Sequence, residues 1–114
     1  MDIFDKPNLP RAHECTEAIA ADMRADLEDP NIPFVMSDWE MGATGQYEPT
    51  RPLPTMAREQ LRVAQKNIAR SVIVPTDMLP MSDDHHFDLT GYKMWGERAF
   101  GLMKQAGWTP WASE

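Results

Sequence analysis

Apolar residues recur at helical spacing in three stretches of the chain. Over 14–28 the apolar positions repeat every fourth residue, at Cys15, Ile19, Met23 and Leu27. Over 56–70 they are Ala57, Leu61, Ala64 and Ile68, and over 89–106 they are Trp95, Ala99, Leu102 and Ala106. A single apolar stripe at this spacing predicts an amphipathic helix whose stripe is buried.

Residues that favour helix ends flank these stretches. Asp29-Pro30-Asn31 follows the first helix and predicts its end. Thr55 is the predicted N-cap of the second helix and Asp88 that of the third, because short oxygen-bearing side chains accept hydrogen bonds from the first helical N–H groups. Gly107, followed by Pro110, predicts the end of the third helix.

Two short apolar runs lie between the helices. Residues 32–36 (Ile-Pro-Phe-Val-Met) and 71–74 (Ser-Val-Ile-Val) have the length and the β-branched content of buried strands. Pro33 is restricted to the first positions of its strand, since it lacks an N–H group. The order α-β-α-β-α predicts an α/β fold with parallel strands, part of a three-layer αβα arrangement. Two strands make a small sheet, so we expect part of the domain to be missing.

Composition narrows the class of protein. The 114 residues suit one domain or part of one, and their net charge of −7 disfavours binding to nucleic acid or to an anionic membrane surface. Cys15 is the single cysteine, so no intramolecular disulfide is possible. No apolar stretch is long enough to span a bilayer, and 1–9 does not have the pattern of a signal peptide. Localisation stays undetermined.

A long loop at 37–53 separates the first strand from the second helix. It contains two aromatic residues, Trp39 and Tyr47, beside Gly, Pro and polar residues. Loops of this length in compact domains are often functional. Trp39 and Tyr47 either stack on a sugar ring or pack the loop, and the pattern alone leaves both interpretations open.

The polar loop after the second strand contains the most informative side chains. Asp83 and His86 are three residues apart in the run Asp-Asp-His-His, directly before a helix. In a tight turn the Asp83 carboxylate can accept a hydrogen bond from Nδ1 of His86, which leaves Nε2 as a general base for a hydroxyl nucleophile. The alternative is a solvated acidic loop with incidental histidines, which is common for so short a pattern. A metal site is disfavoured because adjacent residues rarely converge on one ion.

The surrounding segment resembles the last conserved block of the SGNH (GDSL-like) hydrolases, in particular the sialate O-acetylesterase-like and family 6 carbohydrate esterase branch. That block reads approximately D-x-x-H-F/L-S/T-x-x-G-Y/H-x-x-x-G-x-R. The matching residues are Asp83, His86, Phe87, Gly91, Tyr92, Gly96 and Arg98. Asp88 stands where the family has Ser or Thr. Weaker similarities over 19–35, 61–65 and 77–81 extend the resemblance to about residues 14–107.

The resemblance implies that His86 is the general base and Asp83 its orienting carboxylate, with no metal and no cofactor. The family's nucleophilic serine lies in an N-terminal G-x-S block, which no segment of this chain matches. Ser37, after the first strand, lacks the flanking glycine of an exposed nucleophile.

Two hypotheses follow for the function. In the first, residues 14–107 are the C-terminal half of a carbohydrate acetylesterase that acts on an acylated carbohydrate, with 1–13 as an irregular lead-in and 108–114 as a tail. A missing N-terminal half, or a second copy of the chain, would then cover the open edge of the sheet. In the second, the chain is a non-catalytic binding or accessory module of the same descent.

Overall fold

The structure, a computed structural model, describes residues 11–38, 52–82 and 86–108, with the backbone alone at 52–55. The elements are helices α1 (Ala12–Asp26), α2 (Pro52–Asn67) and α3 (Leu89–Gln105) and strands β1 (Phe34–Ser37) and β2 (Ser71–Val74). They follow one another as α1-β1-α2-β2-α3. The predicted α/β fold, with three helices and two strands in the order α-β-α-β-α, is therefore confirmed.

The two strands form a parallel pair. Their register runs from Phe34 opposite Ser71 to Ser37 opposite Val74. Two hydrogen bonds extend the ladder beyond the strands, from the N–H of Phe34 to the carbonyl of Arg70 (2.9 Å) and from the N–H of Asp38 to the carbonyl of Val74 (3.0 Å). The carboxyl ends of both strands therefore meet at the same edge of the sheet.

Helices cover both faces of this pair. Phe34 packs against a buried cluster of Ala20 from α1, Ala64 from α2 and Ile68 directly after α2. Ser37 lies three residues further along β1, so its side chain points to the opposite face. There its Oγ accepts a hydrogen bond from Nε1 of Trp95 in α3, at 3.1 Å. The sheet is thus sandwiched between α1 and α2 on one side and α3 on the other.

The predicted buried stripe of α1 is wrong. Ile19, Met23 and Leu27 are exposed by 55%, 44% and 63%, whereas Ala12 and Ala20 are buried. Residues four apart on a helix drift by about 40° at each step, so a stripe of this spacing does not stay on one face. The small side chain of Ala20 allows close approach to Ala64 in α2, and the larger apolar side chains consequently point outward.

The predicted N-cap of α2 is also wrong. The helix begins at Pro52, so Thr55 is a residue of its first turn. Proline is favoured there because its missing N–H would have no helical partner and its φ angle suits a helix. Within α2, Ala57 and Ala64 are buried as predicted, as is Ile68 directly after the helix.

The ends of α3 agree with the sequence prediction. Asp88 is the N-cap, with its side chain accepting a hydrogen bond from the N–H of Gly91. Gly107 has a positive φ of 75° after the last turn, and the N–H of Trp108 donates to the carbonyl of Met103 at 3.0 Å. This is the Schellman pattern that a glycine after a helix favours. None of the helices in the described ranges is long and apolar enough to cross a membrane.

Candidate functional site

The candidate site lies where the two strands end. Asp38 follows β1 directly, and Pro75, Thr76 and Asp77 follow β2. In open α/β sheets, ligands bind outside the carboxyl ends of the strands, because the loops that leave this edge are free to vary around a rigid sheet.

The first half of the loop after β2 is firmly anchored. Thr76 and Leu79 are fully buried, while Met78 between them is exposed and has a φ of 63°. Arg98 of α3 donates to the carbonyl of Pro75 at 3.0 Å and to the carboxylate of Asp77 at 3.3 Å. Helix α3 therefore holds the start of the loop against the end of β2.

The second half of the loop closes on itself. Met81 and Phe87 form an isolated antiparallel bridge. Inside it, the N–H of Ser82 donates to the carbonyl of His86 at 2.9 Å, and the Ser82 Oγ donates to the same carbonyl at 3.2 Å. These bonds fix the backbone of His86 relative to the rest of the loop.

The same loop is fixed to the start of α3. The Asp88 carboxylate accepts from the N–H of Gly91 at 2.7 Å, and the N–H of Asp88 donates to the carbonyl of Pro80 at 3.1 Å. A Cβ on Gly91 would lie 2.2 Å from that carbonyl oxygen, so only glycine allows this approach. The rings of Phe87 and Tyr92 meet edge to face, with centroids 5.5 Å apart. Several residues of the block that resembles the SGNH hydrolases thus have a structural task here, which is to position the segment that carries His86.

His86 itself is exposed to solvent. Asp83, Trp39 and Tyr47 lie outside the described residues, so the pairing of Asp83 with His86 and the stacking of Trp39 and Tyr47 on a sugar stay predictions. Ser37, the in-chain hydroxyl considered as a nucleophile, is exposed and accepts its hydrogen bond from the indole of Trp95.

A second feature at this edge is an open cleft of ≈ 470 Å³. Its lining residues are Asp38, Arg58, Arg62, Gln65, Ile73, Pro75 and Asp77. Residues of the cleft come from the ends of both strands and from one face of α2. These described residues place the cleft at the carboxyl ends of the strands.

An arginine pair surrounds the carboxylate of Asp38 in this cleft. Only 4% of the Asp38 side chain is exposed. Arg62 donates to it through both terminal nitrogens, from Nη1 to Oδ1 at 3.1 Å and from Nη2 to Oδ2 at 3.0 Å. Arg58 donates to the same two oxygens through Nε and Nη2, at the longer distances of 3.3 Å and 3.4 Å. Such paired bonds orient a guanidinium far more tightly than a single ion pair does.

This cluster was not predicted from the sequence. A usable pattern was present, because Arg58 and Arg62 are four residues apart and so share one face of α2. An acidic residue directly after an apolar strand, as Asp38 is, lies at the edge where that helix face can reach it. The pattern does not by itself pair these arginines with Asp38, because the pairing depends on how α2 packs on the sheet.

The described residues include no group of three His, Cys, Asp or Glu side chains that could hold a metal ion. Three of the four residues in the run 83–86 lie outside them.

Comparison with protein-family models, with curated proteins and with solved structures finds no match to this chain. The fold is therefore established by the structure alone, and the function has to be argued from the site.

Proposed function

We propose that the chain supplies the His–Asp half of a Ser–His–Asp carbohydrate esterase that removes acetyl groups. His86 would be the general base, and Asp83 the carboxylate that orients it. The observation that carries the proposal is the anchored loop after β2, which carries the exposed residue His86 and leaves the sheet at the edge where α/β proteins bind ligands. The resemblance of 83–99 to the SGNH block adds the reaction class.

In the proposed reaction, Nε2 of His86 takes the proton of a serine hydroxyl as its oxygen attacks the acetyl carbonyl. The tetrahedral intermediate collapses, the bond to the sugar oxygen breaks, and His86 returns the proton to that oxygen. Water then hydrolyses the acetyl-enzyme by the same proton transfers, releasing acetate. Asp83 would stabilise the imidazolium present between the two transfers. The serine comes from outside this chain in our proposal, because no segment of the chain matches the family's G-x-S block.

The anchoring is what makes such a base effective. Proton transfer needs heavy atoms within hydrogen-bond reach, and a base that is held in place contributes a rate factor of about 10² to 10⁴. The Met81–Phe87 bridge and the contact of Gly91 with Pro80 hold the backbone of His86, so only its side chain has to be ordered on binding substrate. Trp39 and Tyr47 are proposed to stack on the sugar from the loop after β1.

The test begins with the coding sequence upstream of Met1, where we expect an in-frame Gly-Asp-Ser-like block. The segment carrying that block is co-expressed with this chain and assayed for hydrolysis of p-nitrophenyl acetate and for release of acetate from an acetylated oligosaccharide. His86→Ala is expected to lower kcat at least about 100-fold. His85→Ala is the matched control, because it removes the neighbouring imidazole, and it should leave kcat within about threefold.

The rival proposal is a non-catalytic binding or accessory module. The cleft around Asp38 and Arg62 favours it, because described residues of this chain line that cleft at the carboxyl ends of the strands. Absence of a serine block upstream, together with no turnover of either ester, would overturn the esterase proposal and leave the binding module. Equal loss of turnover in His86→Ala and His85→Ala would overturn the assignment of His86 as the base.

A further inference from the structure

The guanidinium of Arg62 uses only part of its donors inside the protein. Its terminal edge, Nη1 and Nη2, binds the two oxygens of Asp38, and Nη1 also donates to the carbonyl of Arg58 at 3.2 Å. A guanidinium has five N–H groups in a rigid plane. The lateral edge, formed by Nε–H and the second N–H of Nη2, has no acceptor among the described residues.

The side chain that carries this lateral edge is partly exposed to solvent. The Arg62 side chain is 43% exposed, and it lines the cleft. Two parallel N–H groups at this spacing match the two oxygens of a carboxylate or of a phosphate. Because Asp38 already fixes the plane of the guanidinium, binding at the lateral edge would cost little additional ordering of the side chain.

The local charge favours an anion in spite of the acidic chain. The cleft and its rim contain the guanidinium groups of Arg58, Arg62 and Arg98 and the carboxylates of Asp38 and Asp77. Among the described residues there, three guanidinium groups stand beside two carboxylates, whereas the whole chain has a net charge of −7.

The remaining walls suit a small organic body. Gln65 lies one turn after Arg62 on α2 and provides an amide, while Ile73 and Pro75 provide apolar surface. The cleft volume of ≈ 470 Å³ is within the range of small-molecule sites, about 300–1,000 Å³.

We infer that the cleft is a binding site for a small organic carboxylate, which the lateral edge of Arg62 holds through two parallel hydrogen bonds. Asp38 acts as the residue that orients Arg62, and Gln65 is a further donor beside it. The inference does not depend on the esterase proposal, since it gives no role to His86 or Asp83.

A purely structural clamp is the competing explanation of the cluster. The ion pairs of Arg58 and Arg62 with Asp38 tie α2 to the end of β1, and this tie requires only the bonds already made. The two explanations make different predictions only for the lateral edge of Arg62, which binds a ligand in a binding site and none in a clamp. The experiment therefore has to observe that edge directly.

The experiment follows the Nε–H resonances of ¹⁵N-labelled full-length chain by NMR during titration with sodium acetate, at ionic strength held constant with sodium chloride. The Arg62 resonance is expected to shift and to saturate, with a Kd on the order of millimolar for so small a ligand. The Nε–H groups of Arg11 and Arg24 are internal controls, because Glu14 and the carbonyl of Ile32 already occupy them. An Arg62 resonance that does not move, or moves without saturation like the controls, would overturn the inference.

Arg62→Lys tests the geometry of recognition. Lysine keeps the positive charge beside Asp38 but has no fork of N–H groups, so acetate should bind about tenfold more weakly, as expected for the loss of a charge-assisted hydrogen bond. Binding is read from the Gln65 side-chain amide resonances, and Arg11→Lys should leave it unchanged. Unaltered binding in a folded Arg62→Lys chain, or tighter binding of phosphate than of acetate, would contradict the assignment to carboxylates; the wild-type titration decides the matter if the variant does not fold.

Discussion

Gly91 is the residue on which the position of the His86 loop depends most directly. It is buried in the first turn of α3, where a Cβ would lie 2.2 Å from the Pro80 carbonyl oxygen and 2.9 Å from Cβ of Phe87. Neither the carbonyl nor the Phe87 Cβ can move aside like the end of a flexible side chain. The glycine is therefore required by the close contact between loop and helix rather than by its own backbone angles.

Gly91→Ala is expected to lower the free energy of unfolding by about 1–3 kcal/mol, because the methyl group forces the loop away from α3. Gly96→Ala is the matched control in the same helix. A Cβ at Gly96 meets no atom within 4 Å, so alanine should raise the stability by about 0.5–1 kcal/mol through its better helix propensity. Urea unfolding followed by circular dichroism measures both values. Shifts of the same sign in the two variants would show that the Pro80 contact does not constrain Gly91.

Helix α1 illustrates how packing selects the buried face of an element. Ala20 is 2% exposed and packs with Ala64 and Ile68, whereas the neighbouring Ile19 is 55% exposed. The small side chains of Ala20 and Ala64 let α1 and α2 approach closely. We infer that the surface buried by this close contact stabilises the fold more than burial of Ile19 in its place would. The apolar character of Ile19, Met23 and Leu27 thus contributes little to the stability of the chain by itself.

Ile19→Gln should change the free energy of unfolding by no more than about 0.5 kcal/mol, as for other surface substitutions. Ala20→Gln, one residue further, should lower it by about 1–3 kcal/mol, because a long polar side chain has to enter the contact with α2. Both variants keep a good helix former, so propensity does not obscure the comparison. A larger loss for Ile19→Gln than for Ala20→Gln in chemical denaturation would mean that the α1 face is assigned wrongly.

The whole molecule is organised around a short parallel pair with helices on both faces. The largest fully buried side chains, Val74, Thr76 and Leu79, lie at the end of β2 and directly after it. Among the described residues, the largest fully buried side chains are therefore close to the candidate site. The buried core next to the site holds the residues of the site in fixed positions.

Hydrogen exchange should reveal this distribution of stability. The N–H of Asp38 donates to the carbonyl of Val74 at 3.0 Å, beside a fully buried side chain. The N–H of Asn31 donates to the exposed carboxylate of Asp29 at 2.9 Å. We expect the Asp38 amide to exchange at least about 100-fold more slowly than that of Asn31, because only opening of the sheet exposes it. Similar protection factors at the two amides, measured by NMR, would contradict a core centred on the strand ends.

Local features of the chain were predictable because their causes lie within a few residues. Asp88 caps α3 and Gly107 ends it since each acts on the adjacent turn. Strand β2 was predicted at its observed position because a short β-branched run that ends at Pro75 favours a strand over a helix. The α-β-α-β-α order followed from these elements. The assignment of His86 as a base rests on its spacing to Asp83 and on the segment that follows, and it stays a prediction.

The features that the sequence left open depend on contacts between distant residues. Helix α1 could bury either the face with Ile19 and Met23 or the face with Ala20. Packing of Ala20 against Ala64 determines that the second face is buried. Asp38 and Arg62 are 24 residues apart in the chain and meet because α2 lies on the sheet face to which Asp38 points. A periodic pattern reports which side chains share a face of one element, but the partner of that face is chosen by the burial gained when the elements assemble.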